Sequence, residues 1–347
     1  MMRAEAKTSS LNIFLVLPKA ELHRHLEGSL RIETMLDIAR IHGLTVPASI
    51  LRLSDLVQVG DEEPYTFSNF LEKFKTLRLF YRSPEVITRV TREAIEDAAR
   101  DNVRYMELRF TPVALSRAER FPLHDVMDWV CDSANETAKQ FGIDVKLIAS
   151  VNRHESPELA EQVAWLAADY QDKGIVALDI AGNEVEFPAE PFAPIFREAK
   201  ESGLKITVHA GEWAGADNVR EAIEVLGADR IGHGVRVLED PDVVAMVKER
   251  GTVFEVCVTS NYQSGVTPSL EAHPLRPMVE AGLTTTINTD DPSISRISLS
   301  SEFQMIHDQL GFSISKLKEQ TMNAAQAAFL SDEERKRLVK EFKKGLE

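Results

Sequence analysis

The sequence predicts an α/β fold, a closed (β/α)8 barrel. It has an extended helical insertion after the first strand and helices at the C-terminal end. Three observations carry that expectation. Eight short β-rich runs alternate with longer segments of helical apolar spacing, the pattern of a parallel sheet. The polar residues that interrupt the apolar runs gather at their C-terminal ends. The chain of 347 residues is 44% hydrophobic and 27% charged, an ordinary globular composition with ample length for a large core. Eight units close neatly into a TIM barrel, although the handedness of the crossovers would fit an open sheet as well.

Taken in order, the first strand is expected at 20–25 and ends in His23 and His25. The second, 103–110, ends in Arg109, and the third is 144–150. The fourth, 175–180, is followed by Gly182, and the fifth, 204–209, ends in His209 with Glu212 just beyond. The sixth, 230–233, ends in His233, the seventh is 252–257, and the eighth, 283–288, precedes Asp290 and Asp291. Between them, 85–100 places Val86, Val90, Ala94 and Ala98 on one helical side. A helix over 219–226 follows Gly215, and one over 240–250 opens on Asp-Pro, a good helix entry. One barrel domain is expected over 1–347: an N-terminal helix near 9–17, capped by Ser9 or Ser10, the barrel over 18–313, and C-terminal helices over 314–347. The charge run 333–344 reads as a solvated helix face.

The net charge of −15 argues against a nucleic-acid partner, because such a surface repels phosphate backbones. A nucleoside or base as a small ligand stays compatible with it. Two cysteines, Cys131 and Cys257, are no disulfide framework and point to a reducing compartment. Cys257 reads as a small core hydrophobe. The apolar run 11–17 is interrupted by Asn12 and is far short of the ~20 residues of a membrane span. It lacks a small-residue cleavage site, so a cytoplasmic protein with no membrane partner is expected.

In a barrel all these strand ends share one rim, the C-terminal face where catalytic groups sit. His23-Arg24-His25 puts two imidazoles on one face of a strand, here the interior. Taken singly, such a pair is more often a surface or hydrogen-bonded pair, His209 a satisfied core histidine, and Asp290 a helix cap before Pro292. Jointly, three histidines and an aspartate from three strand ends form an N/O set that suits zinc. An aspartate among four ligands leaves room for a water, and zinc lowers the pKa of that water from ~15.7 to ~7. Glu212, after the sharp turn that Gly211 permits, then becomes an acid facing the pocket rather than only a helix N-terminal carboxylate. His233, between Gly232 and Gly234, is placed to orient the hydroxide or to take its proton.

Five segments resemble the adenosine deaminase branch of the amidohydrolase superfamily. They are LPKAELHRHLEGSLRIET at 17–34, LDIAGNE at 178–184, VHAGEWAG at 208–215, RIGHG at 230–234 and INTDDPS at 287–293. The resemblance spans roughly 11–330. It implies a TIM barrel with one zinc per subunit that converts adenosine, and 2′-deoxyadenosine, to inosine and ammonia. It implies His23, His25, His209 and Asp290 as zinc ligands, with Asp290 also catalytic, and Glu212 as the acid that protonates N1. His233 corresponds to the residue that positions or deprotonates the metal-bound water, Gly182 to the donor to N3, and Asp291 to the carboxylate at N7. Glu27, with His25, corresponds to the sugar-end contact.

Some positions depart from that pattern. Glu27 stands where animal enzymes have Asp; bacterial members and relatives acting on adenine or modified adenosines carry Glu. Adenine, 5′-methylthioadenosine or aminodeoxyfutalosine is therefore the alternative amine. TSNYQSGV at 259–266 has the form seen in nucleoside deaminases and favours a nucleoside. Val258 replaces a common proline in a loop, and Asn183 stands behind the site where Asp is frequent. A catalytically silent binding protein on the same barrel would have lost a ligand or Glu212, and neither is lost. The long segment 31–102 holds Phe67, Phe70, Leu71 and Phe74 at helical spacing, with Phe80 and Tyr81 beyond. They suit an amphipathic helix packed on the barrel, and also a lid over the ribose. His42, His124, His154 and His307 read as solvated or structural and away from the rim, and His273, before Pro274, as structural.

Overall fold

Each of the eight expected strands forms, and each pairs in parallel with the next. In a computed structural model describing residues 13–347 they are β1 (Lys19–His25), β2 (Val103–Phe110), β3 (Asp144–Asn152), β4 (Ile175–Ala181), β5 (Lys205–Ala210), β6 (Arg230–His233), β7 (Val253–Val256) and β8 (Thr284–Ile287). The last two are shorter than expected; β7 ends early because the backbone leaves the ladder at Cys257 to enter a helix, Val258–Gln263, where the sequence suggests a loop. The barrel closes just beyond β8. His25 N donates to Asp290 O at 2.8 Å, and Asp290 N donates to His23 O at 3.0 Å. The helix expected over 9–17 lies largely outside the described residues; 13–16 are helical.

The insertion after β1 is four helices, Ile32–His42, Ile50–Val57, Phe67–Leu77 and Pro84–Arg100. Ser49, Thr66 and Ser83 open the last three, each accepting a backbone N–H with its side-chain oxygen. Val86, Val90, Ala94 and Ala98 are buried together, as the spacing demands. Among the described residues no helix is long and apolar enough to cross a membrane.

Two C-terminal helices, Ile314–Ala327 and Asp332–Gly345, cover Ala20, Leu22 and Tyr105 with Ala324, Ala325, Leu338 and Phe342. Between them, Phe329 lies under the Arg230 guanidinium, 3.5 Å from ring centroid to Cζ, and its N–H donates to Glu107 Oε1 at 2.7 Å. Arg230 also donates Nε–H to Glu255 Oε1 at 2.6 Å and pairs with Glu107 through Nη2. Glu107 and Glu255 are wholly buried, so each needs its cation, because an unpaired buried charge is far costlier than a buried pair. Replacing Arg230 with Met should lower unfolding stability in urea titrations by about 3–5 kcal/mol, the cost of stranding buried carboxylates.

Candidate metal centre and active site

The period of two along β1 turns both His23 and His25 inward, and β5 brings His209 to the same depth. His23 Nδ1 donates to Glu255 Oε2 of β7 at 2.8 Å, and His209 Nδ1 donates to Asp179 Oδ1 of β4 at 3.0 Å. Each carboxylate takes an Nδ1 proton and so turns a bare Nε2 toward the barrel axis. Burial opposes the charge on Asp179, but His209 and Arg109 outweigh it and hold its carboxyl below the usual range. For Glu255, Arg109 and Arg230 outweigh burial in the same way.

The inward atoms crowd together. His23 Nε2 lies 3.2 Å from Asp290 Oδ1, His25 Nε2 lies 3.3 Å from that oxygen, and His25 Nε2 lies 3.2 Å from His209 Nε2. His23 Nε2 is buried with no hydrogen-bond partner. The four donor atoms all lie within 4.8 Å of one another. Lone pairs facing lone pairs repel, and a divalent cation among them turns that repulsion into coordination. Three imidazole nitrogens and a carboxylate oxygen fit a borderline cation such as zinc.

Two further groups face this set. Glu212 is buried; burial first, then the charges of Asp290, Glu184 and Asp291, raises its pKa well above the ordinary range. Both causes favour the protonated carboxyl. His233 Nε2 lies 3.7 Å from Glu212 Oε2 and 3.9 Å from Asp290 Oδ2. His233 and Asp290 both adopt positive φ, 61° and 63°, which non-glycine residues keep only where surrounding structure enforces it.

Residues 18–345 match the adenosine deaminase family over nearly the whole chain. The chain belongs to the adenosine deaminase family. It is 39% identical to an adenosine deaminase of Erwinia tasmaniensis over 92% of this chain and 96% of that one. It is 37% identical to one from Klebsiella pneumoniae over 95% and 98%. Among solved structures it resembles an adenine deaminase from Arthrobacter aurescens, with a TM-score of 0.87 and 28% identity over 94% and 98% of the two chains. It also resembles Arabidopsis ADAL complexed with IMP, with a TM-score of 0.85 and 27% identity over 96% and 98%. As a family member this chain is a metal-dependent hydrolase that deaminates adenosine or a related aminopurine.

The remaining residues expected from the family pattern line the same rim. Glu27 Oε1 accepts from Thr111 N at 2.6 Å while Oε2 is buried without a partner, and burial pushes its pKa up to about 7. Asp291 Oδ1 is likewise buried and unpartnered, and burial together with the Asp290 charge raises its pKa. Gly28 is required beside it: a Cβ there would stand 1.9 Å from Asp291 Oδ1. Gly182, just past β4, has φ +103°, a conformation that side chains disfavour. Phe67 of the insertion packs at a tilt against Trp213, next to Glu212, with ring centroids 4.0 Å apart and planes at 57°, and Tyr65 meets Tyr262 edge-on. The insertion helix is thus both packed and set over the rim.

The structure corrects one expectation and adds residues. His154 is on the rim, not away from it: β3 runs on to Asn152, and His154 Nδ1 comes within 3.9 Å of where a Gly182 Cβ would stand. Glu184 accepts the N–H groups of Gly211, Glu212, Trp213 and Ala214 at 2.7–3.0 Å, which fixes the turn carrying Glu212. In the Val258–Gln263 helix, Ser260 Oγ donates to Asp290 Oδ2 at 2.7 Å and Asn261 Nδ2 donates to His233 Nδ1 at 3.1 Å. Glu302 anchors that helix by accepting from Thr259 N at 2.9 Å and from its hydroxyl. Asn183 Oδ1 accepts from Val185 N and Glu186 N, shaping the loop behind the site. Cys257 is buried in the core, and burial raises its thiol pKa. His307 is structural as expected, donating Nδ1–H to Phe312 O at 2.6 Å.

Asp179→Asn and Glu255→Gln should each weaken metal affinity roughly 10–100-fold in competition titrations with a chromophoric chelator, because each loosens a ligand's ring orientation. Burial raises the Glu302 pKa from 4.5 to about 7. A raised folded-state value makes its stabilising contribution complete below about pH 4.5 and lost as pH climbs through about 7. Glu302→Gln should therefore flatten the pH dependence of urea stability across that window by about 1–3 kcal/mol.

Proposed function

We propose that this site converts adenosine, and 2′-deoxyadenosine, with water to inosine and ammonia, using one zinc ion held by His23, His25, His209 and Asp290. The observation that carries the reading is a buried carboxyl, Glu212, whose pKa burial and neighbouring charges raise, facing a set of imidazole nitrogens and the Asp290 carboxylate. When bound, the ion supplies Lewis acidity that makes a water acidic near neutral pH.

The chain's own groups do the rest. The Glu212 proton goes to N1 of the purine, which draws electron density from C6 and opens it to attack. His233 orients the attacking oxygen. Burial and the Asp290 charge raise the Asp291 pKa, which favours a protonated carboxyl that donates to N7, an acceptor. The Gly182 N–H is assigned to N3. The free Oε2 of Glu27, with His25 of the metal set, receives the ribose hydroxyls. A buried carboxyl titrating near 7 is suited to exchanging hydrogen bonds with an alcohol in either sense. A nucleoside rather than a free base is supported by that unpartnered sugar-end group, and by the IMP complex of Arabidopsis ADAL. Attack at C6, loss of the exocyclic amine and return of aromaticity balance as adenosine plus water giving inosine plus ammonia.

The test follows adenosine by its loss of ultraviolet absorbance, with adenine and 5′-methylthioadenosine in parallel. Rapid loss with adenosine that a strong chelator abolishes is the expected result; turnover of adenine alone would overturn the nucleoside reading. Glu212→Gln should cut kcat by roughly 10²–10⁴-fold, the range for removing a general acid.

A further inference from the structure

His273 sits outside the metal set, buried, in the stretch before the Leu275–Glu280 helix. Its Nδ1 accepts from the backbone N–H of Leu275 at 3.0 Å. A backbone N–H only donates, so that ring nitrogen carries no proton. Burial pushes the His273 pKa down to about 3, so the ring is neutral at physiological pH and its single proton is on Nε2.

That proton sets the next link. His273 Nε2 lies 3.3 Å from the Asn261 side-chain oxygen, a donor facing an acceptor. The Asn261 amide is thereby locked with its NH2 pointing the other way. Its two hydrogens reach His233 Nδ1 at 3.1 Å and Glu212 Oε1 at 3.5 Å. A flipped amide would oppose two donors at His273. The orientation follows from the Leu275 N–H alone, without assuming which amide atom is which.

We propose that His273 and Asn261 are positioning residues that fix His233 as its Nε2–H tautomer, so that His233 faces the reacting oxygen as a hydrogen-bond donor and not as a base. This rests on the proposed placement of His233 beside the attacking water. The proton balance then has one acceptor. Glu212 first gives its proton to N1. As the water oxygen bonds to C6, an O–H bond breaks and that proton passes to the vacated Glu212 carboxylate. Glu212 then supplies it to the leaving amine, and as the C6–N bond breaks and C6=O forms, the second O–H proton returns to Glu212. One residue carries every transfer, and His233 keeps its proton throughout.

The experiment is long-range proton–nitrogen correlation NMR on the zinc-loaded protein labelled with ¹⁵N-histidine, with His233 assigned by loss of its signals in His233→Asn. The expected spectrum has a pyrrole-like Nε2 and a pyridine-like Nδ1 for His233; the reverse pattern overturns the proposal. His273→Leu should mix or invert the pattern and lower kcat for adenosine roughly 10²–10⁴-fold, with KM within about threefold. His273→Gln, whose amide N–H reaches the same Asn261 oxygen, should restore both. An unchanged pattern and kcat in His273→Leu overturns the proposal. Should His273→Leu fail to fold, Asn261→Asp replaces it: a carboxylate accepts from Nδ1–H and should invert the tautomer. The spectrum reads the tautomer without turnover. An Nε2–H pattern in a protein inert toward adenosine would uphold the relay and sink the substrate reading.

Discussion

Asp290 closes the barrel with its backbone and faces the imidazoles with its side chain. Its N–H and C=O bridge to His23 and His25 across the seam beyond β8, at a φ of 63° that it would not adopt unaided. Its carboxylate then has no choice of direction. One oxygen meets His23 and His25, and the other takes the Ser260 hydroxyl. Fold closure and ligand geometry are therefore a single constraint. A cation bound there would draw β1, β5 and the end of β8 together, so part of its binding energy is also energy of closing the barrel.

Burial alone would make every carboxyl in this barrel neutral. What separates them is the neighbour each one has. Asp179 and Glu255 sit against Arg109 and the ligand histidines and stay charged, which keeps the Nδ1 protons in place and the Nε2 atoms bare. Glu212, Asp291 and Glu27 lack such a cation at contact distance, and burial leads their upward shifts. The first pair orients the imidazoles of His23 and His209. The second group is shifted toward the protonated form. The division follows the strand layers: the charged pair is set within β4 and β7, whereas the neutral acids ride on the rim turns.

The strands, the rim and the convergence of three histidines with Asp290 are legible in the sequence because each is written in local order: period two, a polar residue ending an apolar run, a glycine at a turn. The partners that orient the set were not. Glu255 meets His23 across 232 residues and Asp179 meets His209 across 30, and within their own strands both look like ordinary alternation. The Val258–Gln263 helix has six residues, too few for an apolar period to show, so Ser260 and Asn261 passed as loop. His154 was misplaced because β3 runs two residues longer than its apolar run, which carries the loop onto the rim. Glu184 carries no local sign of its role, since nothing near it in sequence shows that four backbone N–H groups 27–30 residues away converge on it.

The insertion after β1 ties these features to solvent. Phe70 and Leu77 bury against the core and fix the Phe67–Leu77 helix, while Phe67, one turn before Phe70, lies on Trp213. The contact falls one residue from Glu212. A carboxyl keeps its proton at neutral pH only while water is kept from stabilising the charged form. Burial is the leading cause of the raised Glu212 pKa. The apolar side chains that hold the helix on the core thus also set Phe67 over the turn that carries Glu212.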